Sequence, residues 1–367
     1  MSITLQKYNE DSIGNDVDNS NNNVANHTST VIITSFSSTE GNATYTDSDG
    51  TIKTVIIKGS FDVSAFTTPP KTLADAFASN ASLLMSSLTE YDNNGVINET
   101  VSSSSPISLS TFVNRDTSLA NLSSFYSGND VFYSSTNNKT SGSSDTVYGY
   151  GGNDAYYDNH LLTTYNDRFY GGAGTDKIVL PSKYANYTIK AGQVWDHINQ
   201  KTGLSGFTIT DNTKTYNTVQ INLVERVQFS DGTLALGFTK AYPVYQSAMM
   251  IGAAFGQSYI NSYFAAALSL YEQGQTDLQV ATLIVNAGLI ESQIGSTSNT
   301  AYVDFIYKNV TGVAPDKLTE AAFVNDLNTG VYTKASLLAL AAGVSNLEQQ
   351  IGLTGLQQNG LFYHPVI

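Results

Sequence analysis

Two β-branched runs, Thr30–Thr34 and Thr51–Ile57, open the patterned part of the chain. They predict strands, and Asp47-Ser48-Asp49-Gly50 between them predicts a hairpin turn. Pro69-Pro70 marks a break. Leu73 through Met85 has apolar residues at helical spacing and predicts one amphipathic helix. Alternation returns at Tyr184–Lys190, Gly206–Thr210 and Thr218–Leu223. Val224, Val227, Phe229, Leu234 and Leu236 then give apolar faces on either side of an Asp231-Gly232 turn. From Tyr242 the period becomes helical. Helices are predicted over Ser258–Gln273, Thr276–Leu289, Ala301–Val310, Asp316–Asn328 and Thr333–Asn346, with Gly274, Gly312 and Gly330 at C-terminal caps. Gly256 and Gly312 are 56 apart, as are Gly274 and Gly330, and Ile294-Gly295 returns as Ile351-Gly352 after 57. This spacing predicts a helical unit in two copies.

Between the strands and the helices, glycine and aspartate recur on a fixed step. Gly171-Gly172-Ala173-Gly174-Thr175-Asp176-Lys177-Ile178-Val179 fits the nonapeptide G-G-x-G-x-D-x-U-x, with U a large apolar residue. Gly149-Tyr150-Gly151-Gly152-Asn153-Asp154-Ala155-Tyr156-Tyr157 fits with one glycine displaced. Asp145 and Asp154 lie nine apart, as do Asp167 and Asp176, and the second pair repeats the first at an offset of 22. Each nonapeptide reads as a tight turn followed by a short strand. Its glycines permit positive φ and close backbone approach. Its aspartate offers a hard anionic oxygen suited to Ca²⁺, which takes six to eight oxygens. The eighth positions (Phe132, Val147, Tyr156, Phe169, Ile178) are expected to point inward and form a thin core. The other reading of these residues is a set of Gly/Asn/Asp turns that hold no metal.

These nonapeptides resemble the RTX family, the calcium-binding parallel β-rolls of proteins exported by type I secretion. The resemblance implies ions held between stacked turns by Asp154 and Asp176 on one edge and by Asp145 and Asp167 on the other. Gly149, Gly151, Gly171 and Gly174 would lend carbonyls, with Asn153 and Gly172 in the same turns. Asp130, in Gly128-Asn129-Asp130, looks like the first turn of the series. Val224–Leu236 resembles the segment that caps such rolls, and Trp195 is expected to pack within that cap. A second resemblance lies in Tyr307-Lys308-Asn309-Val310-Thr311-Gly312-Val313-Ala314-Pro315-Asp316 and Phe323–Gly330. These look like a helical domain of undefined function that is frequent in secreted bacterial and S-layer proteins.

Composition narrows the function classes. Charged residues are 13% of the chain, about half the usual ~25%. The net charge is -14, from 31 acidic against 17 basic residues, which argues against nucleic-acid binding through phosphate contacts. The absence of cysteine removes disulfides, thiolate metal sites and a cysteine nucleophile. His27, His160, His197 and His364 form no H-E-x-x-H, and neither G-x-S-x-G nor a phosphate-binding loop occurs; no enzyme is expected. No cleaved signal peptide is visible at Met1–Lys7, and no apolar run reaches ~18 residues, so no membrane span is expected. The apolar C-terminus, Gly360–Ile367, suits an uncleaved export signal.

The expected fold is multidomain. A flexible polar arm (1–29) containing a lone Gly14-Asn15-Asp16 leads into a mixed β domain (30–124). A short parallel β-roll with capping strands (125–240) follows, then an all-α domain with a two-copy repeat (241–367). The expected function is that of a secreted, calcium-binding structural protein of the bacterial cell surface. Its expected partners are further copies of itself, in an S-layer, sheath or filament, the type I secretion machinery, and cell-surface polysaccharide. A calcium-dependent adhesin or glycan-binding module is the alternative, and an RTX-associated enzyme the third reading.

Overall fold

The computed structural model describes residues 3–7, 31–46, 52–66, 70–72, 75–76, 82–91, 94–95, 97–113, 123–134, 146–158, 165–196, 201–214 and 217–366. The chain forms two compact units, Met1–Ser230 and Asp231–Ile367. The first unit contains β1 (Ile3–Lys7), β2 (Ile32–Phe36), β3 (Glu40–Thr46), β4 (Ile52–Phe61), β5 (Leu83–Tyr91), β6 (Ile97–Ser108) and a short helix α1 (Leu109–Val113). It continues with β7 (Val131–Tyr133), β8 (Thr146–Tyr148), β9 (Ala155–Tyr157), β10 (Tyr165–Tyr170) and β11 (Lys177–Val179). The last four strands are β12 (Tyr187–Asp196), β13 (Lys201–Asp211), β14 (Asn217–Asn222) and β15 (Arg226–Phe229).

Both sheets of this unit are mixed. One runs β15-β11-β9-β7-β1-β6-β5-β4-β3-β2, with parallel neighbours from β15 to β1 and antiparallel neighbours from β1 to β2. The other runs β12-β13-β14-β10-β8, antiparallel as far as β14 and parallel beyond it. The expected fold class, a short parallel β-roll followed by an all-α domain, is therefore corrected to a mixed α/β architecture. The physical reason lies in the sheet edges. Short strands leave unpaired backbone groups along any open edge; β1 takes up the edge of the three-residue β7 and β14 that of β10, both in parallel, and each then continues its sheet with antiparallel neighbours. The nonapeptide strands are thus segments of larger mixed sheets.

The core of this region comes from the period of two in those short strands. Phe132, Tyr156, Ile178 and Val227 stand in register in the first sheet, and Val147, Phe169 and Ile221 in the second. All are buried, and the Tyr156 and Phe169 rings lie 5.7 Å apart. The N-terminal strands β3 to β6 bury Ala43, Tyr45, Val55, Ile57, Met85, Leu88 and Val101 in the same alternating way. Leu83–Met85, expected at the end of a helix, belong to β5; Leu83 and Met85 are buried while Leu84 between them is exposed. Of the rest of that predicted helix, Asp75-Ala76 are helical, and 73–74 and 77–81 lie outside the described residues. Ile3–Lys7, expected within the flexible arm, form β1, paired between β6 and β7; the rest of the arm (including Gly14-Asn15-Asp16), the Asp47–Gly50 turn and Asp145 lie outside the described residues.

The second unit contains β16 (Gly232–Ala235), then α2 (Pro243–Phe255), α3 (Ile260–Glu272), α4 (Asp277–Asn286) and α5 (Leu289–Ile294). A second series follows as α6 (Asn299–Thr311), α7 (Lys317–Thr329), α8 (Lys334–Ala342) and α9 (Asn346–Gln350), before α10 (Leu353–Asn359) and β17 (Leu361–Tyr363). It is not all-α: β16 and β17 pair antiparallel, Leu234 opposite Phe362, and β17 lies in the C-terminal segment read as an export signal. The two-copy reading matches the helix starts, which pair as 243/299, 260/317, 277/334 and 289/346. Asp316 caps α7 by accepting the N–H groups of Leu318 and Thr319, and Gly312 and Gly330 end helices in the left-handed region. Each copy has an apolar cavity, of about 160 and about 150 Å³, at the same helix positions: Leu283 and Ile284 line one, Leu340 and Ala341 the other. Among the described residues no helix is long and apolar enough to cross a membrane.

Candidate functional site

The turns that enter β7, β9, β11 and β15 stack on one another, and each places an acid immediately before its strand. Asp130, Asp154, Asp176 and Glu225 are all buried. They form a file joined by side chain to backbone. The Asp130 N–H donates to Asp154 Oδ1 at 2.7 Å, the Asp154 N–H to Asp176 Oδ1 at 2.7 Å, and the Asp176 N–H to Glu225 Oε2 at 2.8 Å. Asparagines repeat the device one residue earlier: the Asn153 N–H donates to Asn129 Oδ1 and the Thr175 N–H to Asn153 Oδ1. Backbone bonds from Ala155 to Asp130 and from Lys177 to Asp154 lock the same steps.

Glycine makes room for this file. A Cβ on Gly149 would stand 2.1 Å from Asp154 Oδ2, and one on Gly171 would stand 2.5 Å from Asp176 Oδ2. Gly172 and Gly174 have φ of +103° and +139°, and each lies against a carbonyl of the turn before it. Gly151 differs. Its nearest neighbour to a Cβ is 4.0 Å away, and its N–H is bonded to the Gly149 carbonyl. Tyr150 stands at φ 64°, a region usually left to glycine. Its ring lies 5.8 Å from that of Tyr148 and 6.3 Å from that of Tyr126.

The electrostatics follow from burial. Asp154, Asp176 and Glu225 each use one oxygen as a cap, while Oδ2 of Asp154 and Oδ2 of Asp176 are buried with no hydrogen-bond partner. Desolvation, with the neighbouring carboxylates adding to it, pushes the Asp154 carboxyl up to about 8. Desolvation and then Glu225 push Asp176 up to about 7. An unscreened anion in such a place is costly unless it takes a proton or a cation. A cation fits Asp154 and Asp176 on the strength of those two oxygens. Among the described residues no three Asp, Glu or His side chains converge as a metal-holding group. An ion bound here would draw its remaining ligands from backbone oxygens and water.

The other acid expected to bind metal sits apart from the file. Asp167 lies on β10, buried, and its Oδ2 accepts the Tyr156 hydroxyl at 2.8 Å. Glu225 was not singled out as a ligand in the sequence, although the signal was present. Asp130-x-Phe132, Asp154-x-Tyr156, Asp176-x-Ile178 and Glu225-x-Val227 share one pattern, an acid, one residue and a buried apolar residue. Trp195 is held by its backbone, with its N–H on Gln220 Oε1 and its carbonyl accepting the Tyr170 hydroxyl. No protein-family model and no curated protein matches this chain.

Proposed function

We propose that this chain is a secreted calcium-binding structural protein of the bacterial cell surface, of the RTX type exported by type I secretion. In this reading it folds on meeting Ca²⁺ outside the cell and then assembles with copies of itself into a lattice, sheath or filament. The observation that carries it is the pair of buried, unbonded carboxylate oxygens on Asp154 and Asp176. Where Ca²⁺ is scarce, their charges oppose folding; where it is abundant, its binding free energy adds to folding free energy. Copies of the chain are the main partner, and cell-surface polysaccharide is a further one.

Titrating Ca²⁺ into chelated protein, with circular dichroism and electron microscopy on the same samples, tests both halves. A gain of β signal followed by ordered sheets or fibres is expected. Unchanged stability in excess chelator removes the calcium half, and a folded particle that never orders removes the assembly half. A second reading, as a glycan-binding adhesin, is favoured by the half-buried Tyr133 and Tyr157, whose rings stack 4.8 Å apart at 19°. Polysaccharide binding that is lost in Tyr157→Ala would support that reading instead.

A further inference from the structure

The apolar cavities of the two helical copies stand at the same helix positions but have different walls. Phe255 on α2 corresponds to Thr311 on α6, Ala266 on α3 to Phe323 on α7, and Ile284 on α4 to Ala341 on α8. The aromatic ring thus comes from the first helix in one copy and from the second helix in the other. The volumes nevertheless come out alike, at about 160 and about 150 Å³. A fourth shared position keeps its residue. Leu283 and Leu340 are 50% and 49% exposed, which puts the opening of both cavities at the same place.

Protein interiors are close-packed, with few voids larger than a water molecule, and an empty cavity costs stability in proportion to its volume. Exchanges as large as Phe for Thr and Ala for Phe are enough to fill such a space. Two copies that reach one volume with different walls therefore point to a space that is kept for an occupant.

The walls restrict what that occupant is. No charged residue lines either cavity. The Thr311 hydroxyl is already spent on the carbonyls of Tyr307 and Val313. An ion has no counter-charge here, and a water molecule lacks the two to four polar partners it needs. An apolar cavity of about 150 Å³ does accommodate a ring the size of benzene. Phe255 in one copy and Phe323 in the other offer that ring an aromatic neighbour.

We propose that each helical copy binds one uncharged, ring-sized hydrocarbon molecule, which enters past Leu283 or Leu340, so that the chain carries two such sites. Neither cavity shares a residue with the carboxylate file, and the sites stand whether or not the calcium reading does.

Benzene titrated into the full chain, followed by calorimetry and thermal melting, tests this. Two equivalents should bind and raise the melting temperature. Ala267→Leu fills the first cavity and Ala341→Leu the second. Each variant should bind one equivalent and the double variant none, with melting at or above that of the native chain. Benzoate, the same ring with a charge, should not bind. Where a leucine reduces the helical circular-dichroism signal, Ile284→Val and Leu337→Val enlarge the two cavities instead. They should then shift the preference from benzene towards toluene by about fourfold. A native chain that binds fewer than two equivalents near benzene saturation overturns the proposal. So does a folded double variant that still binds, benzoate binding equal to that of benzene, or a preference that the enlarged cavities leave unmoved.

Discussion

Asp176 holds the backbone of Asp154: its Oδ1 accepts the Asp154 N–H at 2.7 Å, while its Oδ2 is buried with no donor. One carboxylate thus serves as a structural cap and leaves a charge to be met.

Separating those two roles requires two substitutions at each acid. Asp154→Ala and Asp176→Ala remove the cap and leave a buried N–H without an acceptor, at a cost of about 1–3 kcal/mol. Both should reduce the Ca²⁺-induced β signal. Asp154→Asn and Asp176→Asn keep an acceptor and remove the charge. They should fold more readily in chelator than the native chain and respond less to Ca²⁺. Calcium midpoints from circular dichroism check this, and unchanged midpoints in all four variants would remove these turns from the site.

The pH dependence of the chelated protein has a defined sign. Asp154 and Asp176 are raised from an ordinary 3.8 to about 8 and about 7. The folded chain therefore keeps protons that the unfolded chain has released, and stability falls as pH rises from 3.8 through about 7 and about 8. Denaturant midpoints in chelator at about pH 5 and about pH 9 should differ in that direction. Saturating Ca²⁺ should diminish the difference, because the ion replaces the proton at the same oxygens.

The glycines of the site are not equivalent. Gly149→Ala and Gly171→Ala drive a methyl into a carboxylate and a carbonyl (2.2 Å from the Leu223 oxygen for Gly171), and should each cost about 1–3 kcal/mol. Gly151→Ala and Gly192→Ala meet open space and should be neutral, or stabilising by about 0.4–1 kcal/mol. Thermal melts of the four variants rank them, and equal losses throughout would contradict the stacking described above.

In the helical unit, Gly252 on α2 faces Ile351, where a Cβ would stand 2.3 Å from Cγ2. Gly252→Ala should destabilise that unit by about 1–3 kcal/mol. Ile351→Ala removes that methyl group and should therefore cost less in the Gly252→Ala chain than in the native one. A double-mutant cycle in denaturant measures the coupling, and additive effects would place the clash elsewhere.

The sequence carried the acid-x-apolar pattern of the turns openly, because a period of two fixes both the buried ring and the carboxylate before it. It also carried the helical duplication, since glycine caps such as Gly312 and Gly330 must recur where helices end. α2 was missed for a physical reason. From Ser247 to Phe255 it is buried all round, so it has no polar face to reveal a helical period. Leu73–Met85 misled because Leu83-Leu84-Met85 fits either period, and only pairing with β4 and β6 selects the strand. Glu225 was overlooked because an intervening hairpin separates it from Asp176 by 49 residues, which hides it from any short repeat.

The carboxylate file has a direction. Asp130 waits for Asp154, Asp154 for Asp176, and Asp176 for Glu225; every cap comes from a residue further along the chain. The asparagine ladder beside it runs the other way, with Asn129 capping Asn153 and Asn153 capping Thr175. Each step is therefore held from both sides, and a chain cut short before Glu225 loses only the last carboxylate cap, on Asp176, while the earlier steps keep both of their partners.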